Sequence, residues 1–385
     1  MNIGRNGGRR DGGSRVPPVG CDQLSDTSSY TNLELYTMKK LYSIGLAALC
    51  FGALTGGLHA QESDQTTGEK KDFSKVAAGS GNFLNLPVGA RAVGMGSGFV
   101  GVADDPTALF WNPAGIMQSP GASAAYSFTS MFADITHNFA GVTFPVGASY
   151  KAGVSASSYG TDDIEVTTMF NQDGTGEKYM VRDLAIALSF AGQLTDQFAF
   201  GVTGKYINLA IASQAANGVA FDVGTLYKPG FLGLRLGFAV QNLSAPLKFT
   251  GSGLVRPGSV DPTTGNQGPD LQQEALEASL PLIFRAGLSS NVLEGDAMNS
   301  LLVASEFSTA SDRGEYVSLG AEYTWNNLVS ARAGYQFGAS DAYGISGGVG
   351  LKYETGSFYG QLDYSIRPHS TLGLVNQITA SVRFQ

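Results

Sequence analysis

Gln377-Ile378-Thr379-Ala380-Ser381-Val382-Arg383-Phe384 is the stretch on which the fold turns. Ile378, Ala380, Val382 and Phe384 fall on one face, and Gln377, Thr379, Ser381 and Arg383 on the other. An extended strand sends successive side chains to opposite faces, so this is a strand with one apolar and one polar side. The same pattern recurs upstream. In 318–325, Leu319, Ala321, Tyr323 and Trp325 oppose Ser318, Gly320, Glu322 and Thr324. In 234–241, Leu234, Leu236, Phe238 and Val240 oppose Arg235, Gly237, Ala239 and Gln241. In 198–206, Phe198, Phe200, Val202 and Tyr206 oppose Ala199, Gly201, Thr203 and Lys205.

A soluble sandwich would alternate in the same way, so strand number, strand length and loop parity decide the class. Fourteen candidate strands lie near 122–131, 136–146, 148–158, 178–191, 197–209, 218–228, 232–242, 281–290, 299–307, 315–325, 328–338, 342–353, 357–365 and 373–384. Most are about ten residues long, the length a tilted strand needs to cross a bilayer. The number is even, as in bacterial single-chain barrels. Connections after the second, fourth, sixth, tenth and twelfth strands are short, and the two longest follow the third and seventh, near 159–177 and 243–280. Tight turns on one side and long loops on the other are the asymmetry of outer-membrane barrels, with the turns in the periplasm. The expected fold is therefore all-β: a 14-stranded antiparallel transmembrane β-barrel over 122–385. Trp325, just before Asn326-Asn327, belongs to the periplasmic aromatic girdle, and Phe384 is the barrel's C-terminal signal, one residue from the end of the chain.

Composition agrees. Gly is abundant, at 52 of 385 residues, and aromatics reach 10%, which suits closely packed strands joined by short turns. Downstream of residue 60 no apolar run approaches the length of a membrane-spanning helix. Residues 61–385 keep 18 of the 24 basic and 28 of the 32 acidic residues, a balance of −10, which argues against nucleic acid as a partner.

The N-terminal part reads as targeting sequence. Lys39-Lys40 precede an apolar run of about fifteen residues that ends at Leu58-His59-Ala60, the layout of a secretory signal peptide. Residues 38–60 are expected to be cleaved near Ala60, to place the chain in a bacterial outer membrane, and to leave Gln61 as the mature N-terminus. Residues 1–37 read as a misassigned upstream extension ahead of a start at Met38, or else as a disordered leader, and 61–78 as a periplasmic tail. Cys21 and Cys50 both precede Gln61, so the mature chain has no disulfide or thiolate metal site.

Residues 79–121 break the alternation. Asp105-Pro106 and Asn112-Pro113 each place a capping side chain before a helix-starting proline, giving two very short helices near 107–110 and 114–117. Irregular backbone cannot lie in lipid, and Phe83, Leu84, Phe99, Phe110, Trp111 and Ile116 are too apolar to leave in water. The segment is expected to be a short helical plug, or hatch, inside the lumen, with Gly94, Gly96 and Gly98 as its hinge.

The stretch Ala90-Arg91-Ala92-Val93-Gly94-Met95-Gly96, followed by Val102-Ala103-Asp104-Asp105-Pro106-Thr107-Ala108-Leu109-Phe110-Trp111-Asn112-Pro113-Ala114-Gly115, resembles the N-terminal signature of the PorV/PorQ family. That family belongs to the FadL-type outer-membrane proteins, and Asn112, Pro113 and Ala114 match the Asn-Pro-Ala motif of the FadL hatch. The resemblance implies that Arg91, Gly94, Gly96, Asp104, Asp105, Pro106, Trp111, Asn112, Pro113, Ala114 and Gly115 form the hatch motif. It also implies one of two roles. PorV-like members are non-enzymatic components of type IX protein secretion and surface attachment, with secretion components and cargo proteins as partners. FadL-like members take up hydrophobic small molecules, with such a molecule, or a lipid or detergent, in the lumen. The first is the leading expectation, the second its alternative, and a structural outer-membrane protein a third.

Other features point to no chemistry. Gly94-Met95-Gly96-Ser97-Gly98 lacks the Lys-Ser/Thr pair of a phosphate loop and reads as close backbone packing. Asp104-Asp105 could take a cation, but a cap by Asp105 and a salt bridge from Asp104 to a lumenal Arg fit better. His137 and His369 are expected to be solvated, and no catalytic centre, metal or cofactor is expected. Lys205, Asp222, Arg235, Arg285, Glu306, Glu322, Arg332, Lys352, Glu354, Asp363 and Arg383 lie on polar strand faces. Charge is costly on the lipid side, so these should face the lumen, where mixed signs suit a network that holds the plug.

Overall fold

Each strand hydrogen-bonds to the next, the last bonds to the first, and a closed antiparallel ring of fourteen results. This computed structural model describes residues 79–385 apart from 257, 260–262, 265, 276, 294, 295, 297, 339–343, 357, 370–372 and 385. The expected extension at 1–37, the expected signal peptide at 38–60 and the expected tail at 61–78 lie outside the described residues, as does Gln385. The strands are β1 (Ala122–Ser130), β2 (Thr136–Pro145), β3 (Tyr150–Gly160), β4 (Val181–Thr195), β5 (Phe198–Ile211), β6 (Gln214–Tyr227) and β7 (Arg235–Ser244). They continue as β8 (Ile283–Asn291), β9 (Ser300–Ala310), β10 (Arg313–Trp325), β11 (Val329–Phe337), β12 (Ile345–Thr355), β13 (Phe358–His369) and β14 (Gly373–Phe384). Closure pairs Ala122 with Phe384 and leaves the ring itself without a free edge to template association.

Period two in the sequence becomes inside and outside in the ring. On β14, Gln377 and Thr379 are buried and Ile378 and Phe384 exposed. On β10, Glu322 and Thr324 are buried while Tyr323 and Trp325 are exposed. The outward residues form an apolar surface that only hydrocarbon can cover without cost. Aromatics mark its ends. Tyr150 stacks on Phe190 and Phe358 meets Phe384 at the end of the tight turns, and Tyr335 meets Phe337 at the other.

Two hairpins are longer than their sequence pattern indicates. β5 and β6 run on to the turn Ala212-Ser213, and β9 and β10 to Ser311-Asp312. Tight turns thus also occur on the long-loop side. The 245–282 loop returns to the wall, where Thr250–Gly251 pairs with Gln214-Ala215 of β6.

Residues 79–121 carry two more helices than the capping signals indicate: a 3-10 turn at Asn82–Asn85 and α1 (Ala90–Gly94). Then come α2 (Ala108–Trp111) and a 3-10 turn at Pro113–Gln118. Gly89 starts α1 at φ 90, a conformation open to glycine and strained for other residues. These pieces form the apolar centre of the lumen. Met95, Phe99, Leu109, Trp111 and Ile116 are all buried, against Phe139, Ala191 and Leu302 of the wall.

Candidate functional site: the lumenal plug

The plug is bound to the wall through its backbone, through ion pairs and through missing side chains. Arg91 of α1 donates from Nε and Nη2 to the two oxygens of Glu322 on β10, at 2.9 and 3.0 Å. Its Nη1 lies 2.5 Å from Asp104 Oδ1 and 3.2 Å from Asp105 Oδ2. Asp104 also accepts from Arg235 of β7 at 3.1 Å. Glu322 is shared with Arg332 of β11 at 2.5 Å, and Arg332 pairs with Asp363 of β13 at 2.8 Å. One chain of alternating charge therefore crosses the lumen: Arg235, Asp104, Arg91, Glu322, Arg332, Asp363. Shared, bidentate pairs of this type are the strong ones.

The two adjacent plug carboxylates titrate apart. Burial disfavours charge on both. At Asp104 the attraction of Arg91 and Arg235 outweighs burial and holds the carboxyl below its ordinary range. At Asp105 burial and the neighbouring Asp104 charge win over Arg91 and push it up. The Arg91 guanidinium is held well above its ordinary range, since its three carboxylates more than offset the lowering by burial.

A second buried centre holds the plug from the far side. Arg285 of β8 and Glu306 of β9, 1% and 0% exposed, pair at 2.8 Å. The other oxygen of Glu306 accepts from the backbone N–H groups of Phe99 and Val100, at 2.9 and 2.8 Å. Arg285 lies over Trp111, 4.7 Å from the ring centre, and donates from Nε to Gln241 at 2.9 Å. Gln241 in turn donates to the carbonyls of Phe110 and Trp111 at the end of α2. Gln241 faces inward by the alternation of β7, and the bulge that follows it, with Asn242 at φ 60, turns Asn242 inward beside it. Trp111 Nε1 closes the plug on itself through Val88 O at 2.8 Å.

The Asn112-Pro113-Ala114-Gly115 motif has a physical reading at each position. Asn112 is fully buried. Its Oδ1 accepts from Ala114 N at 3.1 Å, and its Nδ2 ties Val100 O of the plug to Thr225 O of β6. Pro113 begins the 3-10 turn, where it forfeits no hydrogen bond. A Cβ on Gly115 would stand 2.2 Å from Ala103 O, so no other residue fits. Asp105 Oδ1 accepts from Thr107 N at 2.8 Å across Pro106, which fixes the turn leading into α2, while Thr107, the N-cap of α2, makes no side-chain cap.

The charges expected on inward faces lie on the lumenal side of their strands, and Asn112 caps its 3-10 turn, whereas the expected Asp105 cap is instead a bond to Thr107 N in the preceding turn, because α2 begins only at Ala108. Lys205 and Asp222 pair at 2.6 Å as part of the buried set. Glu354 is different: it is exposed at the end of β12. His137 corrects an expectation. It is buried, 2.7 Å from Ser157, because β2 already begins at Thr136 and parity turns it inward. His369 is half-buried against the edge of Phe132. Gly94, Gly96 and Gly98 abut the wall at Arg332, Leu319 and Ser318.

The wall glycines were missed. A Cβ on Gly334 would lie 2.0 Å from Gly96 N, and one on Gly237 2.2 Å from Val100 O. Their signal was present, since both occupy inward positions of the alternation where the plug backbone touches the strand.

No family model matches the chain, and no curated protein does. Among solved structures it is similar to a Pseudomonas aeruginosa FadL homologue, at 13% identity and a TM-score of 0.51 over 78% of this chain and 99% of that one. It is also similar to the Pseudomonas putida toluene transporter TodX, at 14% identity and a TM-score of 0.50 over 76% of this chain and 96% of that one. What they share with it is the FadL-type outer-membrane β-barrel fold, a broader class than the PorV/PorQ family.

Proposed function

We propose that this protein is an outer-membrane channel for small hydrophobic molecules, with residues 79–121 as its hatch. The observation that carries this reading is a packed apolar cluster that fills the outer half of the lumen. Phe83 and Leu84 of the plug pack there with Ile207 and Leu209 of β5 and with Leu247 and Leu280 of the long loop. An aqueous pore has a polar interior. An apolar interior at the external end instead favours partition of an apolar solute, by roughly 25 cal/mol per Å² buried. The solute then meets the plug, and passage requires the plug to move. Gly94, Gly96 and Gly98 contribute by letting the plug backbone lie close enough to β10–β12 to slide along them. The fold likeness to a toluene transporter supports a small hydrophobic cargo and a non-enzymatic role. Export by the 38–60 signal peptide and residence in the bacterial outer membrane belong to the same proposal.

Uptake tests it. Proteoliposomes containing the full barrel should accumulate a labelled monoaromatic hydrocarbon faster than empty ones, and Leu84→Asp with Ile207→Asp should abolish most of the gain. Equal uptake with and without the protein would end this reading.

The resemblance of Ala90–Gly115 to the PorV/PorQ signature favours a second role, as a component of type IX secretion and surface attachment. Affinity capture of the tagged chain from its native membrane would recover secretion components and cargo proteins if it holds.

A further inference from the structure

The end of the lumen on the tight-turn side is not filled. Between plug and wall lies a cavity of about 310 Å³. Its lining includes five cationic side chains, Arg91, Lys228, Arg235, Lys352 and Arg383, against the two carboxylates of Asp104 and Asp105. The chain as a whole carries −8, so the cation excess is local to this mouth.

The ion pairs already described use up Arg91 and Arg235. Lys228, Lys352 and Arg383 have no carboxylate within ion-pair distance among the described residues. Lys352 donates only a long bond to Thr324 Oγ1, at 3.3 Å. Arg383 lies over the Tyr359 ring at 4.2 Å, and its Nε is buried without a hydrogen-bond partner. A buried guanidinium N–H without an acceptor is costly unless something supplies one. Register places these groups together. Lys352 pairs with Gln361, which pairs with Ser381, while Tyr359 pairs with Arg383, which pairs with Ser123. Lys352 and Arg383 thus face the cavity from adjacent rows, with the amide and hydroxyls of Gln361, Ser381 and Ser123 around them. Guanidinium, ammonium and hydroxyl donors converging on one half-open space are the chemistry of oxyanion recognition, and low-dielectric walls strengthen the field there.

We propose that this periplasmic vestibule binds a phosphate group, held chiefly by Arg383 and Lys352, with Lys228 across the mouth. Phosphate is favoured over a single carboxylate because the lining carries three cations more than it has anions, and phosphate approaches two negative charges at neutral pH. The site is independent of the channel reading: it faces the other side of the plug and needs no transport.

Calorimetric titration of the full-length barrel in a nonionic detergent, with inorganic phosphate at constant ionic strength, tests the site. Saturable binding is expected, weakened about tenfold, or 1.4 kcal/mol, by Lys352→Gln and by Arg383→Gln, and less by Lys228→Gln. Because Arg383 adjoins Phe384 and its variant could fail to assemble, a second measurement uses the unmodified protein. Phosphate should protect Lys352 and Lys228 from acetylation, read by mass spectrometry. Butyl phosphate binding more tightly than phosphate would identify the head of an amphiphile as the source, and equal binding a free anion. Absence of saturable binding, or binding indifferent to Lys352→Gln with no protection, would show a solvated polar mouth only and overturn the proposal.

Discussion

Arg91 faces three carboxylates, so its removal leaves Asp104, Asp105 and Glu322 buried with too little positive charge. Breaking a buried pair by deleting one partner costs about 3–5 kcal/mol. Arg91→Met should therefore leave the barrel assembled but expose residues 79–118 to added protease, which intact protein resists. Asp104 and Asp105 should respond in opposite senses. Asp104 is held below its ordinary range, so folding favours its charged form. Its contribution is present above the unfolded carboxylate range and is lost as pH falls through the depressed value. Asp105 is raised, so folding disfavours its charge, and protonation on acidification strengthens the plug. At pH 7 Asp104→Asn should speed plug proteolysis. Asp105→Asn keeps an oxygen for Thr107 N and should leave the rate unchanged or slower. A faster rate for Asp105→Asn would show that its charge, not its hydrogen bond to Thr107 N, holds the plug.

At the scale of the strand, the question is what fills the space on each side. Ala321 faces lipid, and an arginine there costs about 2–4 kcal/mol near the bilayer midplane. Ser318 faces inward, which by strand parity alone makes it the tolerant partner. The lumen beside it is occupied, however: Ser318 is fully buried with Gly98 packed on it. Ala321→Arg and Ser318→Arg should both fail, the first in assembly and the second by displacing the plug. Ser381→Arg, at the open mouth, should be tolerated. Heat-modifiable migration on gels reads assembly, and proteolysis reads the plug. The wall glycines obey the same logic. Gly334→Val would drive its side chain into the Gly96 backbone, whereas Gly314 has nothing within 4 Å. Gly334→Val should release the plug from an assembled barrel, and Gly314→Ala should change neither measurement.

For the whole molecule, plug and barrel are separable. The ring is closed by its own strand-to-strand hydrogen bonds, while the plug contributes contacts to the lumen and none to closure. Deleting 79–118 should leave a heat-modifiable barrel whose single-channel conductance in a planar bilayer exceeds that of the intact chain. Unchanged conductance would mean that the plug does not limit the pore. Strand number, order and facing were all legible in the sequence, because antiparallel neighbours along the chain pair across short turns and the side-chain period of two is local. Gln377 to Phe384 already state which side is in. The plug's position inside the lumen also followed, since its composition suits neither lipid nor water. Partners within the lumen were not legible. Arg91 meets Glu322 across 231 residues, Ala90 meets Thr379 across 289, and Val100 meets Glu306 across 206. No periodicity links such pairs. Closure of the ring brings β7, β10 and β13 around one segment, and only that three-dimensional closure decides which inward charges meet the plug and which are left facing the vestibule.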